Sequence, residues 1–432
     1  MRATLRLLPE HYDELSSALL EAAPRESVAI GFAGWTMSAP GELILTWRGF
    51  QLAGDEDYER RGPGGAVVRP EFLSPAIKRA RASNEAVILC HTHPFSSVPS
   101  FSGIDDGGED VLIPKIRDRA PDAPHGGLVL GQAGASVRVW PSGLDHSIEA
   151  RLVIPGRPGR GRGSNAEFDR QERALGPGST EALGRLKVGI VGCGGLGWDT
   201  ATLLWMHGIG GLVLVDHDAI ESHNRPRLRG AQGGQIGVSK PAALAQLLRA
   251  SRLDGEIDVV ERKFESPEAR QALATVDFIV CATDTLTSRL QVDRFARRLL
   301  IPLVDAGINL QVAIDRLERI GGRVCILWPT EACLLCMGIF SPDDVAAEAD
   351  PLGYRGGARD EEAAVAAFNA VVAGLVVGEL LLVALDARSG MARTRYLAFD
   401  GLSGRVREIA VPEPGACGTC GNLAGNVFGV LP

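Results

Sequence analysis

Excess basic charge is missing from this sequence: 45 Lys and Arg stand against 53 Asp and Glu, for a net charge of −8. That balance argues against a general binder of nucleic acid or of anionic membranes. Cysteine is too sparse for a disulfide scaffold, with eight residues in a chain of 432. No secretory leader is expected, because the first 23 residues read as polar and amphipathic. Long apolar runs are scarce too. Ala370 to Leu385 reaches one bilayer crossing at most and carries Glu379, so it reads as a buried helix. No internal repeat is visible. These absences together predict a cytoplasmic protein with neither a membrane nor a nucleic acid as partner.

The length fits two or three domains. The clearest break is Gly156 to Asn165, GRPGRGRGSN, which has no apolar residue and reads as a flexible linker. It divides the chain into residues 1–155 and 166–432. Before it, a helical stretch, His11 to Ala23, leads into apolar runs at Val28–Ala33, Leu43–Trp47 and Ala86–Cys90. After it, short apolar runs at Lys187–Val191, Leu212–Val215, Phe278–Cys281 and Leu303–Val304 alternate with helical stretches. Near-continuous apolar strands in alternation with helices predict an open, parallel α/β sheet.

The first of those strands runs into Gly192-Cys-Gly194-Gly195-Leu-Gly197 and then a helical pattern. Glycines permit a tight turn and close approach to phosphates, and the helix N-terminus offers its free N–H groups to the anion. Asp216 ends the next strand, 19 residues after Gly197, where a ribose-hydroxyl ligand is expected. Alone, this pattern fits a nicotinamide dehydrogenase as well. The residues that follow favour a nucleoside triphosphate: Asn224, Arg227, Lys240, Asp284 and Arg289 collect cations and a carboxylate around one loop. Cations neutralise a triphosphate and the charge that develops as pyrophosphate leaves, and a carboxylate beside phosphates can hold Mg²⁺.

On these motifs the stretch Phe168 to Gly421 resembles the ThiF/MoeB/HesA family, the core of ubiquitin-activating-type enzymes. The resemblance implies a Rossmann-like adenylation domain that uses ATP and Mg²⁺. It assigns Asp216 to the ribose, Asn224, Arg227 and Lys240 to ATP, and Asp284 to Mg²⁺. Phe168-Asp-Arg170-Gln171 resembles an N-terminal arginine motif that reaches a partner subunit's ATP site, which implies a homodimer. The sequence departs from the pattern at Leu228, where a Gln usually stands, and at His223, in place of Ser.

Cys333-x-x-Cys336 and Cys417-x-x-Cys420 are two knuckles separated by 80 residues. Four thiolates in two such pairs suit a structural zinc, and the same family carries them at matching places. No cysteine lies between the knuckles. Family members that form a thioester use a cysteine there, so this chain is expected to stop at the acyl-adenylate or to hand it to another protein's thiol.

In the first half, His91-Thr-His93-Pro94 precedes Ser102-Gly-Ile-Asp105. Two histidines at i and i+2 with a nearby Asp can bind one zinc and leave a position for water, the pattern of a catalytic site. The stretch from Leu5 to Pro155 resembles the JAMM/MPN metalloproteases. Carried over, His91, His93 and Asp105 would be the zinc ligands, Ser102 the oxyanion stabiliser and Glu26 the general acid/base. The span Pro94 to Phe101 is one residue longer than the family spacing, and Asp106 is an alternative to Asp105.

The expected fold class is therefore α/β throughout: a JAMM/MPN-type domain followed by a ThiF-type domain with a zinc knuckle. The joint resemblance implies a bifunctional handler of a ubiquitin-like protein ending in Gly-Gly. The first domain would trim its C-terminus, and the second would adenylate it for conjugation through a separate conjugating enzyme. One alternative is activation of a sulfur-carrier protein, with a sulfurtransferase as partner. Another is an inactive adaptor that only binds such a protein.

Overall fold

A computed structural model of the chain describes residues 1–157, 166–251, 254–313, 316–348, 365–387, 393–414, 417, 419–421 and 423–430. Most of the linker, 158–165, lies outside the described residues. The chain forms two compact units, Met1–Ile154 with Gly425–Pro432, and Pro155–Ala424.

The first unit contains β1 (Arg2–Arg6), α1 (Pro9–Leu20), β2 (Val28–Ala39), β3 (Glu42–Leu52), β4 (Tyr58–Gly62), β5 (Gly65–Val68), α2 (Pro70–Ser83), β6 (Ala86–Thr92), α3 (Gly103–Arg117), β7 (His125–Leu130), β8 (Ala135–Trp140) and β9 (Ile148–Val153). Its main sheet runs β2-β3-β1-β9-β8-β7-β6, and β6 pairs back onto β2, closing the ring. The free half of the same β2 edge, Trp35 to Met37, pairs in parallel with a C-terminal strand, Phe428–Val430. The last residues thus belong to the first unit and not, as the linker position implies, to the second.

Side-chain alternation along the strands sorts this unit's core into two layers. Ala29 and Ala33 of β2, with Ile88 and Cys90 of β6, pack with Leu15 and Leu19 of α1. Ile30 and Phe32, with Val87, face the layer containing Phe72 and Ile77 of α2 and Ile113 and Ile116 of α3. His91 and His93 share the parity of Val87, so alternation turns them toward the α3 side.

The second unit contains α4 (Asp169–Leu175), α5 (Ser179–Gly184), β10 (Lys187–Val191), α6 (Gly195–Met206), β11 (Gly211–Val215), α7 (Lys240–Ser251), β12 (Glu256–Val260), α8 (Pro267–Leu273), β13 (Phe278–Cys281), α9 (Leu286–Arg298), β14 (Leu303–Ala313), β15 (Arg316–Leu327), α10 (Pro342–Glu348), α11 (Ala366–Ala384), β16 (Arg395–Asp400) and β17 (Arg405–Ile409). The sheet order is β12-β11-β10-β13-β14-β15-β16-β17. It is parallel from β12 to β14 and antiparallel beyond. The chain leaves β10 for β11 on one side and later returns to β13 on the other. Such a reversal opens a crevice at the carboxyl ends of the strands, where ligands bind in sheets of this kind.

Helix α11 is long and apolar enough to cross a membrane by length and composition. Its Val372, Ala373, Val376, Val377, Leu380 and Ala384 pack into the same apolar core as Val188, Trp198 and Leu212. Glu379 is met by Arg395, Oε2 to Nη1 2.7 Å. Both observations agree with a helix built into the protein core.

Candidate functional site

At the crevice, β10 runs into Gly192, whose φ is +93°. A Cβ there would lie 2.7 Å from the carbonyl oxygen of Ala282. The turn therefore presses on the loop after β13 that carries Asp284. Gly197 is tighter, because a Cβ would fall 1.8 Å from the Gly192 carbonyl oxygen. Only glycine allows that approach. Gly194, at the N-cap of α6, has open space on its Cβ side. A helix N-terminus open in this way suits an anion.

Asp216 braces the loop: one carboxylate oxygen accepts the Cys193 N–H at 2.7 Å, and the other the Asp218 N–H at 2.9 Å. Lys240, expected at the phosphates, instead gives its ammonium to Asp218, Nζ to Oδ2 2.7 Å. Burial opposes a charge on Asp218, but the bond to Lys240 and the charges of Lys240, His217 and Lys263 outweigh it and lower its pKa. Asn224 is buried and accepts the Glu221 N–H. The Arg227 backbone carbonyl abuts Gly195.

Among the described residues, the side chains of Arg227, Asp284 and Arg170 make no hydrogen bond or ion pair, and Asp284 and Arg170 are exposed. Arg289 does not join the cationic set. Its guanidinium is buried against Asp305 (2.5 Å) and the carbonyls of Ala306 and Thr283, so it shapes the Asp284 loop from behind. One residue without a sequence signal enters here. Asn369 of α11 places its amide where a Gly195 side chain would be, 2.3 Å from that Cβ position.

The two cysteine knuckles come together. All four sulfurs lie within 4.8 Å of one another. Neighbouring pairs are Cys333–Cys417 at 3.5 Å, Cys336–Cys420 at 3.4 Å and Cys417–Cys420 at 3.1 Å. A zinc tetrahedron with Zn–S near ~2.3 Å has S···S edges of about 3.8 Å, so the set fits zinc with small adjustments. The N–H groups of Thr419 and Cys420 both point at the Cys417 sulfur. Burial resists ionisation of that thiol, yet these bonds and its thiol neighbours bring it down to about 6. A thiolate held by amides is what a structural metal site requires.

The family model for "ThiF family" matches residues 168–419, more than half of the chain. The chain belongs to the ThiF family. Relatives include "Adenylyltransferase and sulfurtransferase MOCS3" of Dictyostelium discoideum, 26% identical over 54% of this chain and 51% of that protein. The "SAMP-activating enzyme E1" of Haloferax volcanii is 28% identical over 38% of this chain and 58% of that protein. The "Sulfur carrier protein adenylyltransferase" of Thermus thermophilus is 27% identical over 60% of this chain and 93% of that protein. The chain thus spans only about half the length of the first two. The crystal structure of E. coli MccB with MccA-N7isoASN superposes with a TM-score of 0.51 at 18% identity, over 62% of this chain and 77% of that one. That likeness supports the Rossmann-like fold.

The first unit lies outside the ThiF-family match and carries its own cluster. His91 on β6, His93 just beyond it and Asp105 in the first turn of α3 bring their ligand atoms within 4.8 Å of one another. Helix α3 begins where it does because Ser102 caps it: Ser102 Oγ accepts the Asp105 N–H, and Asp105 Oδ2 accepts the Ser102 N–H at 2.6 Å. That reciprocal cap aims Asp105 at the histidines, with Oδ1 3.0 Å from His91 Nε2 and Oδ2 3.4 Å from His93 Nε2. Asp106, the alternative ligand, points elsewhere and pairs with Arg138 at 2.6 Å.

Although close to Asp105, the buried His91 Nε2 is left without a hydrogen-bond partner. Three donors converging with one nitrogen unsatisfied fit a divalent metal such as zinc. Burial opposes charge on Asp105, but the close His91 and the Ser102 cap outweigh it and hold the carboxyl well below its usual range. Glu26 is raised by burial and by Asp105, against the pull of His91. Its carboxyl therefore stands in the field of the cluster. Glu109, which carried no sequence signal, stands there too: burial pushes it to about 7 although Arg138 holds it, Nε to Oε2 2.6 Å.

Proposed function

We propose that the ThiF-family unit adenylates the C-terminal carboxylate of a small carrier protein ending in Gly-Gly, for sulfur-carrier chemistry. A carboxylate oxygen would attack the α-phosphorus of ATP, forming the acyl–phosphate bond while the bond to the β-phosphate oxygen breaks and pyrophosphate leaves. The glycine turn and the N-terminus of α6 would receive the phosphates, Asp216 the ribose and Asp284 the Mg²⁺. Lys240 would have to exchange Asp218 for phosphate, an exchange of one charge-assisted bond for another.

The observation that carries this reading is the family match across a glycine turn whose close contacts admit no side chain. The names of the Dictyostelium and Thermus relatives support the sulfur-carrier branch over conjugation, while the cysteine-free span between the knuckles fits both. The two branches separate in one reaction with ATP, Mg²⁺, sulfide and a Gly-Gly carrier. A thiocarboxylate on the carrier supports the proposal. Transfer of the carrier to the thiol of an added conjugating enzyme, in place of a thiocarboxylate, would overturn it in favour of conjugation. A homodimer with Arg170 acting in the partner's site is part of the same reading. Inactive Arg170→Ala and Arg227→Ala proteins should regain partial activity when mixed.

A second reading concerns the first unit, and the unsatisfied His91 Nε2 beside Asp105 favours it. We propose a zinc-dependent (iso)peptidase that trims or releases the same Gly-Gly terminus. Zinc held by His91, His93 and Asp105 would supply Lewis-acid activation of water and of the scissile carbonyl. Glu26 would move the proton from water to the leaving amine, its raised pKa suiting both halves of that transfer. The Ser102 hydroxyl would donate to the carbonyl oxygen as negative charge develops there. The test is zinc-dependent cleavage of a carrier extended beyond Gly-Gly. Cleavage unchanged by Glu26→Gln would remove this assignment.

A further inference from the structure

We infer that Arg61 and Thr92 are positioning residues for Glu26, fixing the backbone that presents its carboxyl to the His91–His93–Asp105 cluster. This rests on the peptidase reading above. Glu26 precedes β2, in a segment with no helix of its own to hold it. Its geometry must come from neighbours, because a general acid/base acts only within hydrogen-bond reach of the proton it moves. Those neighbours are on both sides.

On one side is the β4–β5 hairpin. The Glu26 N–H donates to the Gly62 carbonyl at 2.9 Å. Arg61 Nε donates to the Glu26 carbonyl at 2.9 Å, and Arg61 Nη2 to Ser27 Oγ at 2.6 Å. The Tyr58 hydroxyl accepts the Val28 N–H at 2.9 Å. On the other side is the strand that carries the histidines. Thr92 Oγ1 accepts the Ser27 N–H at 2.9 Å, and the Thr92 N–H returns to the Ser27 carbonyl at 3.2 Å. Val28 then stands opposite His91 in the β2–β6 ladder.

The segment is therefore tied to the metal-ligand strand at its own register. Thr92 is the residue between the two histidines, so one strand sets both the candidate ligands and the candidate base. Arg61 is itself fixed before it acts. Asp55 holds its Nη1 at 2.7 Å, and the guanidinium lies over the Tyr58 ring, 4.4 Å from its centroid. A planar fork held at three points can lock two consecutive residues in a way a lysine cannot.

The test uses the full chain loaded with Zn²⁺ and, as probe, a ubiquitin-fold carrier with a short peptide added after its Gly-Gly. Arg61→Ala and Thr92→Val should each lower kcat by about 10–100-fold, the scale of a misplacement near 1 Å, with KM changed by less than about twofold. Thr92→Ser should stay near wild type, and added guanidinium ion should restore part of the Arg61→Ala loss. Zinc content should not change. In the zinc-free chain, hydrogen exchange at the amides of residues 26–28 should speed up in both variants while the β7–β8 ladder keeps its protection. Unchanged kcat, or unchanged exchange at these amides, overturns the positioning role while Glu26→Gln remains inactive. If wild type with zinc cleaves nothing, the peptidase reading falls and takes this inference with it.

Discussion

The cysteine cluster and the histidine cluster both gather metal-ligating side chains, and they do it in opposite ways. Cys333, Cys336, Cys417 and Cys420 supply four soft donors, with the Cys417 sulfur already met by two backbone N–H groups. His91, His93 and Asp105 supply three harder donors, all partly exposed, and leave a buried nitrogen unsatisfied. Four donors close a tetrahedron, whereas three leave a position open to water or substrate. On the proposed reading, donor count and satisfaction, more than the presence of a cluster, separate a site that would hold a fold from one that would do chemistry. His125 sharpens the point within the same unit. It is fully buried, its Nδ1 accepts the Val87 N–H at 3.1 Å, and its Nε2 lies 2.9 Å from the Ala120 carbonyl. Both nitrogens are used, so it is a structural histidine.

The largest effect should come from the closed site. Cys336→Ser should release zinc and lower the unfolding midpoint of the second unit more than any surface substitution, since apparent zinc affinities of this kind reach ~10–16 kcal/mol and appear as folding energy. A second unit that melts unchanged after loss of the metal would break the comparison. The open site should respond differently. His91→Ala should leave the first unit folded by circular dichroism while cutting zinc affinity or peptidase turnover by well over ~100-fold, beyond the cost of losing an outer-shell partner. If it unfolds the unit instead, the cluster is structural.

The smallest effect belongs to His125. Burial lowers it from the usual 6.5 to about 4. A group depressed in the folded state contributes stability that is present above the unfolded pKa and is lost as pH falls through the folded one. Between pH 6.5 and 4 the first unit should therefore lose up to about 3 kcal/mol from this group. Denaturant midpoints measured across that window should slope in wild type and flatten in His125→Gln.

Much of the second unit was legible because buried parallel strands are short apolar runs between helices, and Lys187–Val191, Phe278–Cys281 and their neighbours read that way. The cysteine knuckles were legible as spacing. The side-chain partners at the nucleotide loop were not. Lys240 and Arg289 read alike as cations, and only the fold shows that Asp218 holds one and Asp305 buries the other. In the first unit, Asp105 and Asp106 were equivalent in sequence until the Ser102 cap aimed one at the histidines and left the other to Arg138. Arg61 and Thr92 carried no motif, because their proposed roles arise from bonds to residues 34 or more positions away in sequence. The C-terminal strand was invisible for a similar reason. It is three residues long and pairs with β2 across nearly the whole chain.

The central claim is carboxylate activation at the glycine turn, and pyrophosphate exchange into ATP tests it most directly. The account predicts Mg²⁺-dependent exchange that requires a carrier with a free Gly-Gly carboxylate. It also predicts that exchange falls by at least about 100-fold in Asp284→Ala, the scale of losing a group that stabilises transition-state charge. No exchange with a carrier that a sulfur-carrier adenylyltransferase does activate, or exchange unaffected by Asp284→Ala, would contradict it.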